Sequence, residues 1–157
     1  MVVDPKLNYV IIGCLEDILV KDNMKWNKRI MSVVGFQEAV HTLADKIPKG
    51  KYQYVFGIPR GGLIVAVYLS HRLNLELLTD RSMEMIEDPD SILVVDDLVD
   101  TGKTLKTYDI HFDTATIFYK PRSEIIPTYF IYETEDWVIF PYENPDEKPN
   151  REPFESV

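Results

Sequence analysis

Four apolar residues, Ile92-Leu93-Val94-Val95, run directly into two adjacent carboxylates, Asp96 and Asp97. A third, Asp100, follows three residues later, and Thr101-Gly102-Lys103-Thr104 comes straight after it. A short, β-branched apolar run suits a central strand of a parallel sheet, buried on both faces. The Thr-Gly-Lys-Thr that follows reads as a helix start. Its backbone N–H groups, its two hydroxyls and the helix dipole would make a cradle for an anion, with Gly102 permitting close approach of the backbone. The end of this segment matches a nucleotide P-loop, but that motif needs glycine five positions before Gly102, where this chain has Asp97. A carboxylate facing polyphosphate repels it unless a cation or a sugar hydroxyl intervenes. Asp100 or Thr101 can serve as a helix N-cap, but three acids around a phosphate cradle are more than capping requires.

These residues must be held by alternating strands and helices. Phe36, Val40, Leu43 and Ile47 share one helical face over residues 34–47, and Pro48 and Gly50 stop that helix. Residues 52–57 read as a strand, 58–62 as a tight loop, 63–73 as a buried helix and 75–78 as a short strand. Residues 79–90 are polar and proline-interrupted and read as a loop. The phosphate strand covers 91–95, with a helix from Gly102 or Lys103. Further strands are expected at 114–119, 128–132 and 137–140, and one or two short ones within 1–22. Pro141, Pro145, Pro149 and Pro153 make the tail extended and irregular. This order predicts an α/β fold with a mainly parallel central sheet flanked by helices. Ligands then bind beyond the carboxyl ends of the strands.

The chain has 157 residues, 45% of them apolar and 27% charged, enough for one domain with a full core. Its net charge of −9 disfavours nucleic acid and anionic lipid as bulk partners. Cys14 is the single cysteine, so no intrachain disulfide forms, which fits a reducing cytoplasm. The apolar run at 9–15 is too short to span a bilayer and lacks a basic leader, so neither an anchor nor a signal peptide is expected. His41, His71 and His111 show no metal-ligand spacing.

Residues 92–104 resemble the phosphoribosyl-pyrophosphate signature of the type I phosphoribosyltransferase family. The resemblance implies that Asp96 and Asp97 face the ribose hydroxyls and Mg²⁺, with Asp97 as metal ligand. It implies that Asp100, Thr101, Gly102, Lys103 and Thr104 wrap the 5′-phosphate. Vicinal hydroxyls are donors that suit paired acceptors, and carboxylates are the usual protein ligands of a cation shared with pyrophosphate. Ile58-Pro59-Arg60-Gly61-Gly62 is similar to the family's pyrophosphate loop. There Arg60 and the N–H groups of Gly61 and Gly62 would hold the leaving group, and a cis peptide between Pro59 and Arg60 is expected. Residues 115–121 and 136–143 resemble the purine branch of the family, nearest its xanthine–guanine members. That likeness implies Lys120 donating to a 6-oxo group, Trp137 stacking on the base and Val138 lying against its edge.

The expected activity is Mg²⁺-dependent transfer of phosphoribose from phosphoribosyl pyrophosphate to guanine, xanthine or hypoxanthine, as in purine salvage, with Asp100 managing the purine proton. A cytoplasmic homodimer or homotetramer is expected, as relatives are commonly dimers or tetramers. The whole chain, 1–157, is expected to be one phosphoribosyltransferase domain. It comprises an extra segment 1–33, a core 34–119, a small base-binding hood 120–143 and a proline-rich tail 144–157. Two departures stand out. Residues 79–90 occupy the place of the family's mobile lid but are short, with Arg81-Ser82-Met83 where purine enzymes often show Ser-Tyr. Lys103 stands where small residues are common. The short lid and the missing Ser-Tyr keep open a module that senses phosphoribosyl pyrophosphate or nucleotides without turnover. The other alternative is an enzyme of this fold acting on another base, and Lys120 and Trp137 argue against both.

Overall fold

The computed structural model describes residues 9–12, 17–20, 27–108 and 111–144. Cys14 and the tail from residue 145 on lie outside the described residues. The chain falls into two compact units, one taking residues up to Phe36 and from Asp136 on, the other Gln37–Glu135.

The smaller unit begins with β1 (Tyr9–Ile12) and β2 (Asp17–Val20), an antiparallel pair, followed by β3 (Lys28–Ile30) antiparallel to β2. The first two strands match the expectation for 1–22. The third is three residues long and carries Lys28 and Arg29, too short and too polar for periodicity to reveal. Helix α1 (Val33–Lys46) starts here and from Gln37 on belongs to the larger unit, with the Ser32 hydroxyl accepting from the Gly35 amide at 2.9 Å as an N-cap. Phe36, Val40, Leu43 and Ile47 are all buried, as the spacing predicts.

The larger unit is a five-stranded sheet. Its strands are β4 (Tyr54–Gly57), β5 (Glu76–Leu78), β6 (Ile92–Val99), β7 (Asp113–Tyr119) and β8 (Tyr129–Glu133), in the order β5-β4-β6-β7-β8. Every pairing in it is parallel. Leu93, Val95, Ile117 and Phe118 on the middle strands are fully buried, each such side chain contributing about 1.5–3 kcal/mol through burial. Helix α2 (Gly61–Leu73) packs on β4 and β6. A Cβ on Gly57 would come within 2.7 Å of Leu63 Cα and of Ala66 Cβ, so a bare glycine is what lets α2 lie so close. The helix ends at Asn74, in the left-handed region at φ 54°, with the Leu75 amide reaching back to the Ser70 carbonyl.

Three expectations are corrected here. Residues 79–90 are not loop throughout, because they carry the short helix α3 (Asp80–Met83) and a 3₁₀ turn at Pro89–Ser91. The Thr79 amide donates to the Ser82 hydroxyl at 2.9 Å and the Met83 amide to the Thr79 carbonyl, a local closure that nucleates the turn. Strand β6 runs four residues past the expected end at Val95, because β7 continues to pair with it at Asp96↔Thr116, Leu98↔Phe118 and Val99↔Tyr119. The helix after the phosphate loop, α4 (Lys103–Thr107), is five residues long, so its dipole contributes little and any anion cradle there rests on local N–H groups.

Tyr52, Asp113 and Tyr129 stand at the amino-terminal ends of β4, β7 and β8 and form one network. The Tyr52 hydroxyl donates to Asp113 Oδ2 at 2.6 Å and lies 3.0 Å from the Tyr129 hydroxyl. Lys51 reaches the same carboxylate at 2.8 Å, and the Thr128 hydroxyl donates to Oδ1. The bonds from Lys51 and then from Tyr52 hold Asp113 below its ordinary value of 3.8. A carboxylate with a depressed folded value adds stability above its unfolded value, and that stability is lost as pH falls through the folded one. Asp113→Asn is therefore expected to lower stability by about 1 kcal/mol near pH 7, and by clearly less near pH 3. Urea denaturation at both pH values checks this, and an equal gap at the two would exclude the charge as its source.

Candidate active site

Parallel pairing brings the carboxyl ends of β4 and β6 side by side. The register stops at Gly57↔Val95, after which β4 turns away through Ile58-Pro59-Arg60 into α2 while β6 continues. The Ile58 amide donates to the Val95 carbonyl at 2.9 Å and fixes the point of departure. Asp96 and Asp97 thus lie on a stretch of strand whose β4 side has opened. Each carboxylate accepts from the next amide along, Asp97 N to Asp96 Oδ1 at 2.9 Å and Leu98 N to Asp97 Oδ1 at 2.7 Å.

The peptide bond between Pro59 and Arg60 is cis, as the sequence led one to expect. Arg60 is exposed and occupies the N-cap position of α2 without a side-chain cap, so its side chain does not claim the first N–H donors of that helix. Gly62 is buried against β6. A Cβ there would sit 2.5 Å from the Val95 carbonyl oxygen, 3.0 Å from Asp96 Cα and 3.2 Å from Asp96 Oδ1. The loop with Arg60, Gly61 and Gly62 and the strand with Asp96 therefore meet at backbone contact.

Burial, and next to it the neighbouring Asp97 carboxylate, pushes Asp96 well above the usual carboxylate range. Two carboxylates crowded in this way are relieved by a shared proton or cation. Among the described residues no three metal-ligating side chains gather at one point. A hard divalent ion bound partly by substrate oxygens needs only one or two carboxylates, and this pair has that character.

Beyond β6 the chain turns through Asp100, Thr101 and Gly102, the last in the left-handed region at φ 80°. The Lys103 amide points back to the Thr101 hydroxyl at 3.4 Å. Lys103 and Thr104 are exposed at the start of α4, while Gly102 is buried. Lys120 follows the last residue of β7 and is buried, its amide donating to the Val99 carbonyl at 2.9 Å. Residues 60–62, 96–104 and Lys120 thus belong to the carboxyl ends of three adjacent strands, β4, β6 and β7, in a single unit.

Trp137 and Val138 lie in the other unit, on β9 (Trp137–Ile139), which pairs in parallel with β3 in the order β1-β2-β3-β9. The Trp137 amide donates to the Asn27 carbonyl at 2.8 Å, and the Lys28 ammonium lies 5.9 Å from the centre of the indole. Sequence reasoning missed this neighbour of Trp137, because only strand pairing joins residue 28 to residue 137. It also missed Arg122, whose guanidinium binds the Asp100 carboxylate, with Nε to Oδ1 at 2.9 Å. The signal available was a cation just after Lys120-Pro121, which alone looks like a solvated charge. Among the described residues no helix is long and apolar enough to cross a membrane.

No protein-family model matches the chain. Among curated proteins, the xanthine–guanine phosphoribosyltransferase of Cereibacter sphaeroides is 32% identical over 120 residues, 60% of this chain and 71% of that protein. The enzyme of the same name from Idiomarina loihiensis is 28% identical over 147 residues, 76% of this chain and 91% of that one. Among solved structures, a purine phosphoribosyltransferase from Pyrococcus horikoshii superposes with a TM-score of 0.64 at 28% identity, covering 80% of this chain and 98% of its own. On these likenesses the chain belongs to the purine branch of the type I phosphoribosyltransferases, close to its xanthine–guanine members, and is an enzyme of the glycosyltransferase class.

Proposed function

We propose that the protein transfers phosphoribose from phosphoribosyl pyrophosphate to a 6-oxo purine, giving the nucleoside monophosphate and pyrophosphate in purine salvage. The observation that carries this reading is the backbone contact between Gly62 and Asp96, which sets an N–H-rich, cationic loop against a carboxylate-bearing strand end. One side suits pyrophosphate, the other ribose hydroxyls and a cation. In this reading Arg60 and the N–H groups of Gly61 and Gly62 hold the pyrophosphate. Asp96 and Asp97 accept from the ribose hydroxyls, and Thr101, Gly102, Lys103 and Thr104 surround the 5′-phosphate.

Asp97, beside Asp96, would hold Mg²⁺, which supplies charge neutralisation to the departing pyrophosphate. The C1′–O bond to pyrophosphate breaks with its electron pair leaving on oxygen, and a bond from purine N9 to C1′ forms. Asp100 takes the proton that the purine gives up. Lys120 donates to the 6-oxo group, a choice that disfavours adenine, whose 6-amino group is itself a donor. Trp137 stacks on the base and Val138 borders it.

The single cysteine and the acidity favour a cytoplasmic enzyme without nucleic-acid or membrane partners, and a homodimer or homotetramer is part of the same reading. Turnover with Mg²⁺, phosphoribosyl pyrophosphate and a panel of bases tests the reading. Product is expected with at least one of guanine, xanthine and hypoxanthine, and with none of adenine, uracil and orotate. Use of the second set with the first inert would remove Lys120 and Trp137 from the base site.

A further inference from the structure

The residue that grips Asp100 is carried on a turn fastened to the phosphate loop from several sides. Arg122 sits two positions after Lys120, in a turn closed by the Ser123 amide on the Lys120 carbonyl at 2.8 Å. The Glu124 amide donates to the Thr101 carbonyl at 3.2 Å, and the Glu124 carboxylate pairs with Lys106 of α4. Gly102 faces the same turn, where a Cβ would come within 3.0 Å of Ser123 Oγ and 3.1 Å of the Ile125 amide. Glu135 lies 4.0 Å from Arg122 Nη1, so the guanidinium is bracketed by acids at both ends.

Its grip on Asp100 is one-sided. Nε and Nη2 both donate to Oδ1, and among the described residues Oδ2 accepts no hydrogen bond. A guanidinium that only fastened two loops would do so best with its fork on both carboxylate oxygens. Here one oxygen is clamped and the other keeps its lone pairs in a fixed direction. A proton acceptor needs that arrangement, since its rate contribution depends on an aimed, unoccupied oxygen.

We infer that Arg122 is a positioning residue for the reaction, holding Oδ1 of Asp100 so that Oδ2 faces the purine proton. The inference rests on the reading of Asp100 as proton acceptor. Because Arg122 and Lys120 share one turn, the base contact and the proton acceptor are aligned together.

The test is a double-mutant cycle in single turnover, with phosphoribosyl pyrophosphate and the purine that the panel selects. Arg122→Met is expected to slow the step by ~10-fold to ~10²-fold, with phosphoribosyl-pyrophosphate affinity within about twofold of the parent, and Arg122→Lys to recover part of the rate. In an Asp100→Asn background, Arg122→Met should change the rate by less than about twofold, because its partner has already lost the ability to take a proton. A full further loss in that background, or parental rate in Arg122→Met alone, overturns the inference while Asp100 keeps its role. Parallel loss of substrate affinity and rate in both Arg122 variants also overturns it, since the residue then only holds the loop. Asp100→Asn at the parental rate overturns the role of Asp100 and this inference with it.

Discussion

Asp100→Asn is expected to lower kcat by on the order of 10²–10⁴ while affinity for phosphoribosyl pyrophosphate stays within a few-fold of the parent. Asp100 is the one acid of the three that lies in the turn rather than on β6. Its side chain is about half exposed at 48%, and one of its oxygens is held by Arg122. Asp96 and Asp97 accept from the backbone of the strand and crowd each other, which suits them to ribose and cation. Asparagine keeps the shape at position 100 and its oxygen can still accept from Arg122, so the loop should survive. What it cannot do is take a proton. Rapid-quench measurement of nucleotide formation, beside a titration of phosphoribosyl-pyrophosphate binding, separates the two quantities. A normal rate with collapsed affinity would make Asp100 a structural member of the phosphate loop and move the proton transfer elsewhere.

The parts of this site that a sequence can show are those whose signal is local. Asp96, Asp97 and Asp100 are conspicuous because they interrupt an apolar run and a phosphate-cradle pattern at once, and no purely structural need accounts for all three. Arg60-Gly61-Gly62 gains its meaning from standing one strand and helix earlier. The parallel sheet follows from strands alternating with helices, and α1 from apolar spacing, which records burial directly. The apolar run of α2 marks a helix, but not one buried all round, since Leu63 and Val67 on it are exposed. What stayed hidden depends on partners distant in sequence. The extension of β6 to Val99 is decided by β7, since two acids in a row argue against a strand until Thr116 and Phe118 are alongside. The pairing of β3 with β9, which brings Lys28 beside Trp137, leaves no trace in residues 28–30 themselves. The hold of Arg122 on Asp100 spans 22 positions and two loops. The turn of α3 was masked by residues that read as loop formers, and in fact Thr79 and Ser82 close it.

Replacing Gly62 by alanine is expected to disable the enzyme by a different route. The new Cβ would stand 2.5 Å from the Val95 carbonyl oxygen and 3.0 Å from Asp96 Cα. Both are backbone atoms of a central strand, so neither can rotate aside, and relief requires the start of α2 to move away from β6. That movement strains the Ile58 amide bond to Val95, which sets where β4 leaves the sheet. It also carries Arg60 and Gly61 away from Asp96. Overpacking of this kind lowers stability by about 1–3 kcal/mol, and a misplacement near 1 Å at reacting groups lowers rate on the order of 10²-fold. Unlike Asp100→Asn, the change should weaken binding of pyrophosphate and of phosphoribosyl pyrophosphate together with kcat, because the loop that holds the leaving group is itself displaced. Titration of pyrophosphate alone against the two variants distinguishes the routes, with affinity retained in Asp100→Asn and reduced in Gly62→Ala. Parental pyrophosphate affinity in a folded Gly62→Ala protein would mean that the leaving group is held elsewhere, and the contact between Gly62 and Asp96 would then be packing alone.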